Sequence, residues 1–241
     1  MIYNGNAFDL FEKVEDNSID AVITDPPYGT TSCRWDSVIN LDDFWVEVKR
    51  VLRDEHSPVV VFADQPFTSN LVMSNPKWFR HDWIWKKPQT SGALQARNKP
   101  FKFTEDIVVF AEKRANYYWE HVVSPAESKK KRDNSTAGYR TAIERFANPY
   151  HITEYTGYPK EILEYEAPRA SLRKGEFKHP TQKPVELMEF LTTLYTKPGD
   201  TILDPFMGSG STGVAAQNLN RNFIGFEMEE EYFQFASERL A

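Results

Sequence analysis

Thiol chemistry is nearly absent from these 241 residues: Cys33 is the single cysteine. That excludes an intramolecular disulfide framework and a cysteine-rich zinc site. The five histidines, His56, His81, His121, His151 and His179, show no paired spacing of two to five residues with one another or with Cys33, so no metal is expected. No apolar run approaches the roughly 20 residues of a membrane helix. Met1-Ile2-Tyr3-Asn4 also lacks a basic and apolar leader, so the expectation is a cytoplasmic protein with no membrane partner. There is no Gly-Lys-Ser/Thr after a glycine turn, which disfavours a nucleoside triphosphate. Base is short as well. Lys and Arg number 29 against 35 Asp and Glu, a net charge of −6, and this balance by itself argues against a nucleic-acid partner.

The distribution of charge reverses that last inference. Between Lys77 and Lys102 there are seven Lys or Arg against Asp82 alone, and between Ser124 and Lys178 eleven against eight acids. Acid is therefore concentrated in the rest of the chain, and two segments are left to face phosphate. The second contains the run Lys129-Lys130-Lys131-Arg132.

What is present points to chemistry at strand ends. The apolar run Ala21-Val22-Ile23 leads into Asp25-Pro26-Pro27-Tyr28, which suits catalysis on a flat base bearing an exocyclic amine. Such an amine gives its lone pair to the ring and is a poor nucleophile. An enzyme must accept its N–H hydrogens to hold electron density on nitrogen, and Asp25 with the Pro26 carbonyl can do this. Pro27, with fixed φ and no N–H, helps aim the preceding carbonyl, and Tyr28 offers a face to a base removed from its stack. Near the other end, Thr201-Ile202-Leu203 runs into Asp204-Pro205-Phe206-Met207-Gly208-Ser209-Gly210-Ser211-Thr212-Gly213. This reads as strand, glycine turn and helix, the helix starting at Ser211 or Thr212 and passing Ala215 and Leu219. A second strand, Phe223-Ile224-Gly225-Phe226, ends in Glu227 about 20 residues after the glycines, the usual offset for an acid that binds ribose hydroxyls. The series predicts a nucleoside site. Asp204 disfavours a diphosphate there and suits an amino or ammonium group.

Together these motifs resemble the amino-group DNA methyltransferases of the β arrangement, in which a catalytic Asp-Pro-Pro-Tyr precedes a cofactor-binding Asp-Pro-Phe-x-Gly-Ser-Gly. His179-Pro180-Thr181-Gln182-Lys183-Pro184 is similar to the family segment just before the cofactor loop, which touches the methionine end of S-adenosylmethionine. Ile2-Tyr3-Asn4-Gly5-Asn6-Ala7, followed by Ser18-Ile19-Asp20, is similar to the family's lead into the catalytic strand. The resemblance covers residues 1–30 and 179–241 and is looser between. Many relatives carry Gly-Asp where this chain has Gly5-Asn6, and the acid there helps hold the cofactor's adenine; Asn6 retains hydrogen-bonding capacity.

The resemblance implies an α/β, Rossmann-like, S-adenosylmethionine-dependent methyltransferase fold, with a mainly parallel sheet and an inserted recognition region. It implies a site-specific enzyme that flips a base out of double-stranded DNA and methylates adenine N6, because Asp25 rather than serine begins the catalytic motif. Cytosine N4 is the alternative; an RNA methyltransferase or a non-catalytic DNA-binding module is the further one. Methylation at cytosine carbon 5 is disfavoured, since it needs a thiolate, usually after proline, and Cys33 lies in Thr31-Ser32-Cys33-Arg34. The implied catalytic residues are Asp25, Pro26, Pro27 and Tyr28. Those implied for the cofactor are Asn6, Ala7, Asp25, His179, Thr181, Gln182, Lys183, Asp204, Pro205, Phe206, Gly208, Ser209, Gly210, Glu227 and Met228, with His179 fixing the loop that carries Thr181 and Lys183. DNA is assigned to Lys86, Lys129, Lys130, Lys131 and Arg132, and to Arg169 and Arg173, which suit guanine edges. A monomer or homodimer, and a cognate restriction endonuclease, are both left open.

Organisation follows. Residues 1–123 are the expected catalytic half of one domain, 124–178 a target recognition insertion, and 179–241 the cofactor half. A helix is predicted around Asp9 to Val14. Asn40 can cap another, with Leu41, Phe44, Trp45, Val48, Val51 and Leu52 on its apolar face and acids in its first turn. Pro58–Phe62, Trp83–Trp85 and Ile107–Phe110 read as buried strands. Lys86 to Phe103 has the composition of a mobile loop beside the pocket, and Trp85-Lys86 resembles the family element that lines the target-base site. Pro184 suits the first turn of a helix whose apolar side is Val185, Met188, Leu191 and Leu194.

Overall fold

The computed structural model describes residues 1–29, 38–91, 97–98, 100–125, 155–166 and 182–241. These form two compact units, Met1–Tyr118 with Lys160–Ala241, and Trp119–Pro159. In the smaller unit β6 (Ser124–Pro125) pairs antiparallel with β7 (Tyr155–Thr156), and Trp119 packs on Tyr155 and Tyr158.

The larger unit is built on an eight-stranded sheet. Its strands are β1 (Ile2–Asn4), β2 (Ala21–Thr24), β3 (Val59–Ala63), β4 (Phe79–Ser91), β5 (Lys102–Phe110), β8 (Ile162–Glu164), β9 (Thr201–Asp204) and β10 (Asn222–Glu227), in the order β1-β10-β9-β2-β3-β5-β4-β8. From β1 to β3 all neighbours are parallel; β5 runs antiparallel to β3 and β4. Sheet position follows composition, since Ala21–Thr24 and Val59–Ala63 are buried throughout and are apolar apart from Thr24. From β2 the chain proceeds to β3 on one side, and from β9 to β10 on the other. The junction of β2 and β9 is therefore the switch point, where α/β sheets open a crevice at their carboxyl ends.

The helices are α1 (Ala7–Leu10), α2 (Leu41–Val51), α3 (Phe67–Ser74), α4 (Val185–Tyr195), α5 (Ser211–Asn218) and α6 (Glu230–Leu240). In α2 the Asn40 side chain accepts from the Asp42 and Asp43 N–H groups, and Phe44, Trp45, Val48 and Val51 are buried. Trp45 donates its indole N–H to Ser74 Oγ at 2.7 Å, so its burial leaves no polar group unpaired. The helix expected around Asp9 to Val14 is α1 followed by one 3-10 turn, Phe11–Lys13. Pro184 stands one place before the first turn of α4, as its N-cap.

One expectation needs correction, and one helix was not expected. The polar stretch from Lys86 to Phe103 is not all loop: β4 continues to Ser91 and β5 begins at Lys102, with Lys86 opposite Thr104 and Ser91 opposite Lys102. Backbone pairing, not side-chain polarity, carries the strand there. The helix α3 had no expectation at all; its apolar residues Phe67 and Leu71 are spaced for burial but lie in a polar setting.

One buried carboxylate locks the switch point. Asp204, 2% exposed at the end of β9, accepts from Thr24 Oγ1 at 2.7 Å, Thr212 Oγ1 at 2.6 Å and the Phe206 N–H at 3.1 Å. It thus ties β2 to β9 and both to the start of α5. Burial nevertheless raises its carboxyl from 3.8 to about 6, against the pull of the Thr212, Thr24 and Phe206 hydrogen bonds.

The α5–β10 contact gives a first prediction. Alanine normally stabilises a helix interior by about 1 kcal/mol over glycine, yet a Cβ on Gly213 would lie 2.7 Å from Phe223 Cε1 and 2.9 Å from a Leu240 methyl. Overpacking of this kind costs about 1–3 kcal/mol. Gly213→Ala should therefore lower stability in urea melts, and a stabilised variant would contradict this packing. The second prediction concerns Asp204. Its raised folded value means that the folded state binds the extra proton between pH 4 and 6, so this group's contribution to stability falls as pH rises through that window. Relative to Asp204→Asn, the parent should gain about 2–3 kcal/mol when pH is lowered from 7 to 4. Melts whose difference stays flat across that range would contradict a buried, titrating Asp204.

Candidate active site

On the β9 side of the switch point the chain turns through Gly208 at φ 50° and Gly210 at φ 76°, a region that side chains with a Cβ avoid. Gly210 donates its N–H to the Met207 carbonyl and is the N-cap of α5, so no side chain caps the first N–H groups of that helix. Those donors are open to a ligand. Glu227 closes the far side at the end of β10. Its Oε1 accepts the Glu229 N–H at 2.8 Å, and burial raises its carboxyl while backbone N–H groups of Glu229, Gly208 and Met228 oppose the rise. The Glu227 carbonyl in turn accepts the Gly5 N–H at 2.9 Å and Asn4 Nδ2 at 3.0 Å, which brings the β1 turn alongside.

The predicted cofactor residues separate by what they touch. Asn6 uses its Oδ1 to accept the Phe8 N–H at 2.9 Å and caps α1; Ala7 and Pro205 are buried, and Phe206 is half-buried. Met228 stands 50% exposed beside Glu227. Ser209 is buried beside Ser211. Asp204 has both oxygens engaged by threonine hydroxyls, as described above. Gln182 is different: its Oε1 is buried with no hydrogen-bond partner among the described residues, an acceptor left for a ligand. It is held against α5, because Ser211 Oγ donates to the next carbonyl, that of Lys183, at 2.9 Å.

On the β2 side Asp25 follows Thr24 directly. Its two oxygens are engaged, Oδ1 by the Tyr28 hydroxyl and Oδ2 by Lys183 Nζ at 2.5 Å. The same ammonium lies 2.8 Å from Glu105 Oε1 and 4.9 Å above the Phe62 ring. Glu105, on β5, is paired on its other oxygen with Lys87 of β4. Tyr28 stacks on Phe67, centroids 5.3 Å apart, which fixes the ring. Burial pushes the Asp25 carboxyl up, opposed by Lys183 and reinforced by Glu105. Burial acts likewise on Glu105, but Lys183 and Lys87 together hold it below the usual carboxylate range. Lys183, which burial would lower, is held above its ordinary value by the Asp25 and Glu105 carboxylates.

The structure therefore brings together Asp25, Tyr28 and Lys183, the last assigned to the cofactor from sequence but here ion-paired to Asp25. It adds Glu105 and Lys87, which sequence reasoning missed. One signal was available for Glu105: it is an acid in phase with the buried Ile107 and Val109 of β5. Lys86 points the other way from Lys87, as alternation requires, and pairs with Glu164 on β8 at 2.6 Å. His179, Thr181, Lys129, Lys130, Lys131, Arg132, Arg169, Arg173 and Cys33 lie outside the described residues.

Comparison with known proteins gives the family and the fold. The sequence profile of the family described as DNA methylase, the N6 and N4 methyltransferases, matches residues 19–238, a span that includes both Asp25 and Glu227. The type II methyltransferase M.HpaI of Haemophilus parainfluenzae is 28% identical over 98% of this chain and 72% of its own length. The DNA adenine methyltransferase YhdJ of Escherichia coli is 27% identical over 99% of this chain and 82% of its own. Among solved structures, the SAM complex of M1.HpyAVI aligns with a TM-score of 0.64 at 26% identity, covering 100% of this chain and 99% of that one. The cytosine-N4-specific PvuII DNA methyltransferase shares the fold, with a TM-score of 0.72 at 18% identity over 100% and 86% of the two chains. With the matched span covering both strands of the switch point, this chain belongs to the DNA methylase family.

Proposed function

We propose that this chain transfers a methyl group from S-adenosylmethionine to N6 of adenine in double-stranded DNA, acting on a base turned out of the duplex. The observation that carries the reading is Asp25, a carboxylate at the carboxyl end of β2 and one residue from the Thr24–Asp204 bond that fixes it beside the glycine turn. Adenine is favoured by the acid at the first position of Asp25-Pro26-Pro27-Tyr28. The relative YhdJ, named as an adenine enzyme, supports the same choice; cytosine N4 is the alternative.

The residues fit the cofactor. Glu227 offers a carboxylate held by backbone N–H groups and suited to ribose hydroxyls. The orphaned Gln182 Oε1 is a ready acceptor for an ammonium, and Gly208 and Gly210 allow close approach of the backbone. We assign Asp204 to positioning the turn, since its oxygens serve Thr24 and Thr212. When bound, S-adenosylmethionine supplies an electrophilic methyl group on a sulfonium.

The chain's own work is done at the amine. Asp25 accepts an N–H hydrogen and so keeps the lone pair on nitrogen, and the Pro26 carbonyl is the second acceptor. With the methyl group supplied by that sulfonium, the amine nitrogen would exchange a proton for the new N–C bond, and an Asp25 oxygen would take up the surplus proton. Tyr28, backed on one face by Phe67, offers its other face to the flipped base. No covalent enzyme intermediate is required, so alignment and polarisation carry the rate.

Tritium transfer from labelled S-adenosylmethionine into duplex DNA tests the reading. Asp25→Ala should cut transfer by about 100-fold or more, the scale set by loss of a preorganised electrostatic partner, while calorimetry reports cofactor affinity within a few-fold of the parent. Turnover near the parental rate would remove Asp25 from the mechanism. Nucleoside digestion of the product should yield N6-methyladenine; N4-methylcytosine would transfer the assignment to the alternative. Glu227→Ala should weaken cofactor binding by about 1.5–3 kcal/mol, as charged hydrogen bonds do, and unchanged affinity would place the ribose elsewhere.

A further inference from the structure

Four charged side chains from four segments meet behind the base pocket: Asp25 after β2, Lys183 before α4, Glu105 on β5 and Lys87 on β4. Lys183 is 9% exposed and Glu105 5%. Burying several charges is costly unless each is paired, and here they balance, two carboxylates against two ammoniums in the series Asp25–Lys183–Glu105–Lys87. Nothing about packing demands ions at these places. Lys183 lies across the Phe62 ring, where an apolar side chain would pack.

We propose that Lys183 and Glu105 are positioning residues for methyl transfer: Lys183 keeps Asp25 an ionised acceptor aimed at the target amine, and Glu105 shares the ammonium so that Asp25 is not fully engaged by it. The inference rests on Asp25 being the acceptor. An unaccompanied carboxylate at this depth would take up a proton and become a donor, useless for drawing N–H hydrogens away from nitrogen. A carboxylate clasped by one ammonium alone would remain charged but be a poor acceptor. Sharing Lys183 between Asp25 and Glu105 meets both demands, and Lys87 offsets the second carboxylate. Lys183 is itself anchored to the cofactor side through Ser211 Oγ on its carbonyl, so the acceptor and the glycine turn are spaced by one short connection.

Among the described residues, the charged and titratable groups facing Asp25 are Lys183, Glu105 and Tyr28, with Asp204 adding a like charge from β9. Substitutions at these groups act with opposite signs. In Lys183→Gln the acid limb of the kcat–pH profile should move up, and activity should recover as pH is raised. The displacement should be about 1–3 pH units, the effect of removing an opposite charge at this range. Lys87→Gln, at a side chain 27% exposed, leaves Glu105 drawing on Lys183 alone; its acid limb should move up by a smaller amount, and it serves if Lys183→Gln does not fold. Glu105→Gln gives Lys183 wholly to Asp25, so its limb should move down while the plateau kcat falls.

The experiment is the kcat–pH profile of parent, Lys87→Gln, Lys183→Gln and Glu105→Gln on duplex DNA, with calorimetric cofactor affinity measured in parallel. Opposite displacements for the lysine and glutamate variants, with cofactor affinity kept within about threefold so that the loss lies in turnover rather than binding, support the inference. Profiles that keep the parental acid limb, or that all move the same way, overturn it. If Asp25→Ala is inactive in that case, the reading of Asp25 as acceptor still stands; if Asp25→Ala is active, that reading itself has failed.

Discussion

The hydrogen bond from Thr24 to the buried Asp204 carboxylate is the constraint on which the chemistry of this chain depends. Thr24 is the last residue of β2 and Asp204 the last of β9. These two strands are adjacent and parallel but send the chain in opposite directions along the sheet. A single bond at their carboxyl ends therefore fixes the residue that follows one, Asp25, against the turn that follows the other. Thr212 extends the same clamp into α5. The arrangement carries a cost, since burial raises Asp204 to about 6. Three donors offset that cost, and the result is a spacing between two half-sites that does not rely on flexible side chains.

Around that junction, polarity is distributed unevenly for a reason. The sheet interior is apolar, and its buried carboxylates are met by hydrogen-bond donors or by opposite charges. On the cofactor side, Glu227 is satisfied chiefly by backbone N–H groups, which hold a carboxylate in place without adding another charged side chain. On the base side, Asp25 is balanced by side-chain cations that come from distant segments. A carboxylate that must accept hydrogen bonds from a weak donor has to be charged, yet not saturated. Shared ammonium groups accomplish this in a way that fixed backbone donors cannot, because their hold on each partner depends on the other.

Much of this was legible in the chain. Asn40 with two acids behind it marked a helix start, and the same side chain caps α2. The apolar run Ala21-Val22-Ile23 marked a buried strand before Asp25 and Thr201-Ile202-Leu203 a strand before Asp204, and the family resemblance extended to the fold and to the DNA methylase assignment. What escaped notice was pairing at long range. Lys183 lies 158 residues from Asp25, and nothing local to either residue records that the two meet. Whether Lys86 or Lys87 faces the pocket turns on strand register, which a polar composition obscured by suggesting a loop. Glu105 did leave a trace, an acid in phase with buried residues of a strand, but its partners come from β4 and from before α4. The chemistry of Asp204 suits an ammonium, and its hydrogen bonds from Thr24 and Thr212, one of them 180 residues away in sequence, were not legible from either motif.

On the proposed reading, the target amine lies at the carboxyl end of β2, against Asp25. A crystal structure of the chain with a duplex and a non-reactive S-adenosylmethionine analogue measures this directly. The base is expected outside the helix stack, on the face of Tyr28 turned away from Phe67, its exocyclic amine within hydrogen-bond distance of Asp25 and the Pro26 carbonyl. An extruded base whose amine contacts neither, with Asp25 still closed by Lys183 and Tyr28, would contradict it.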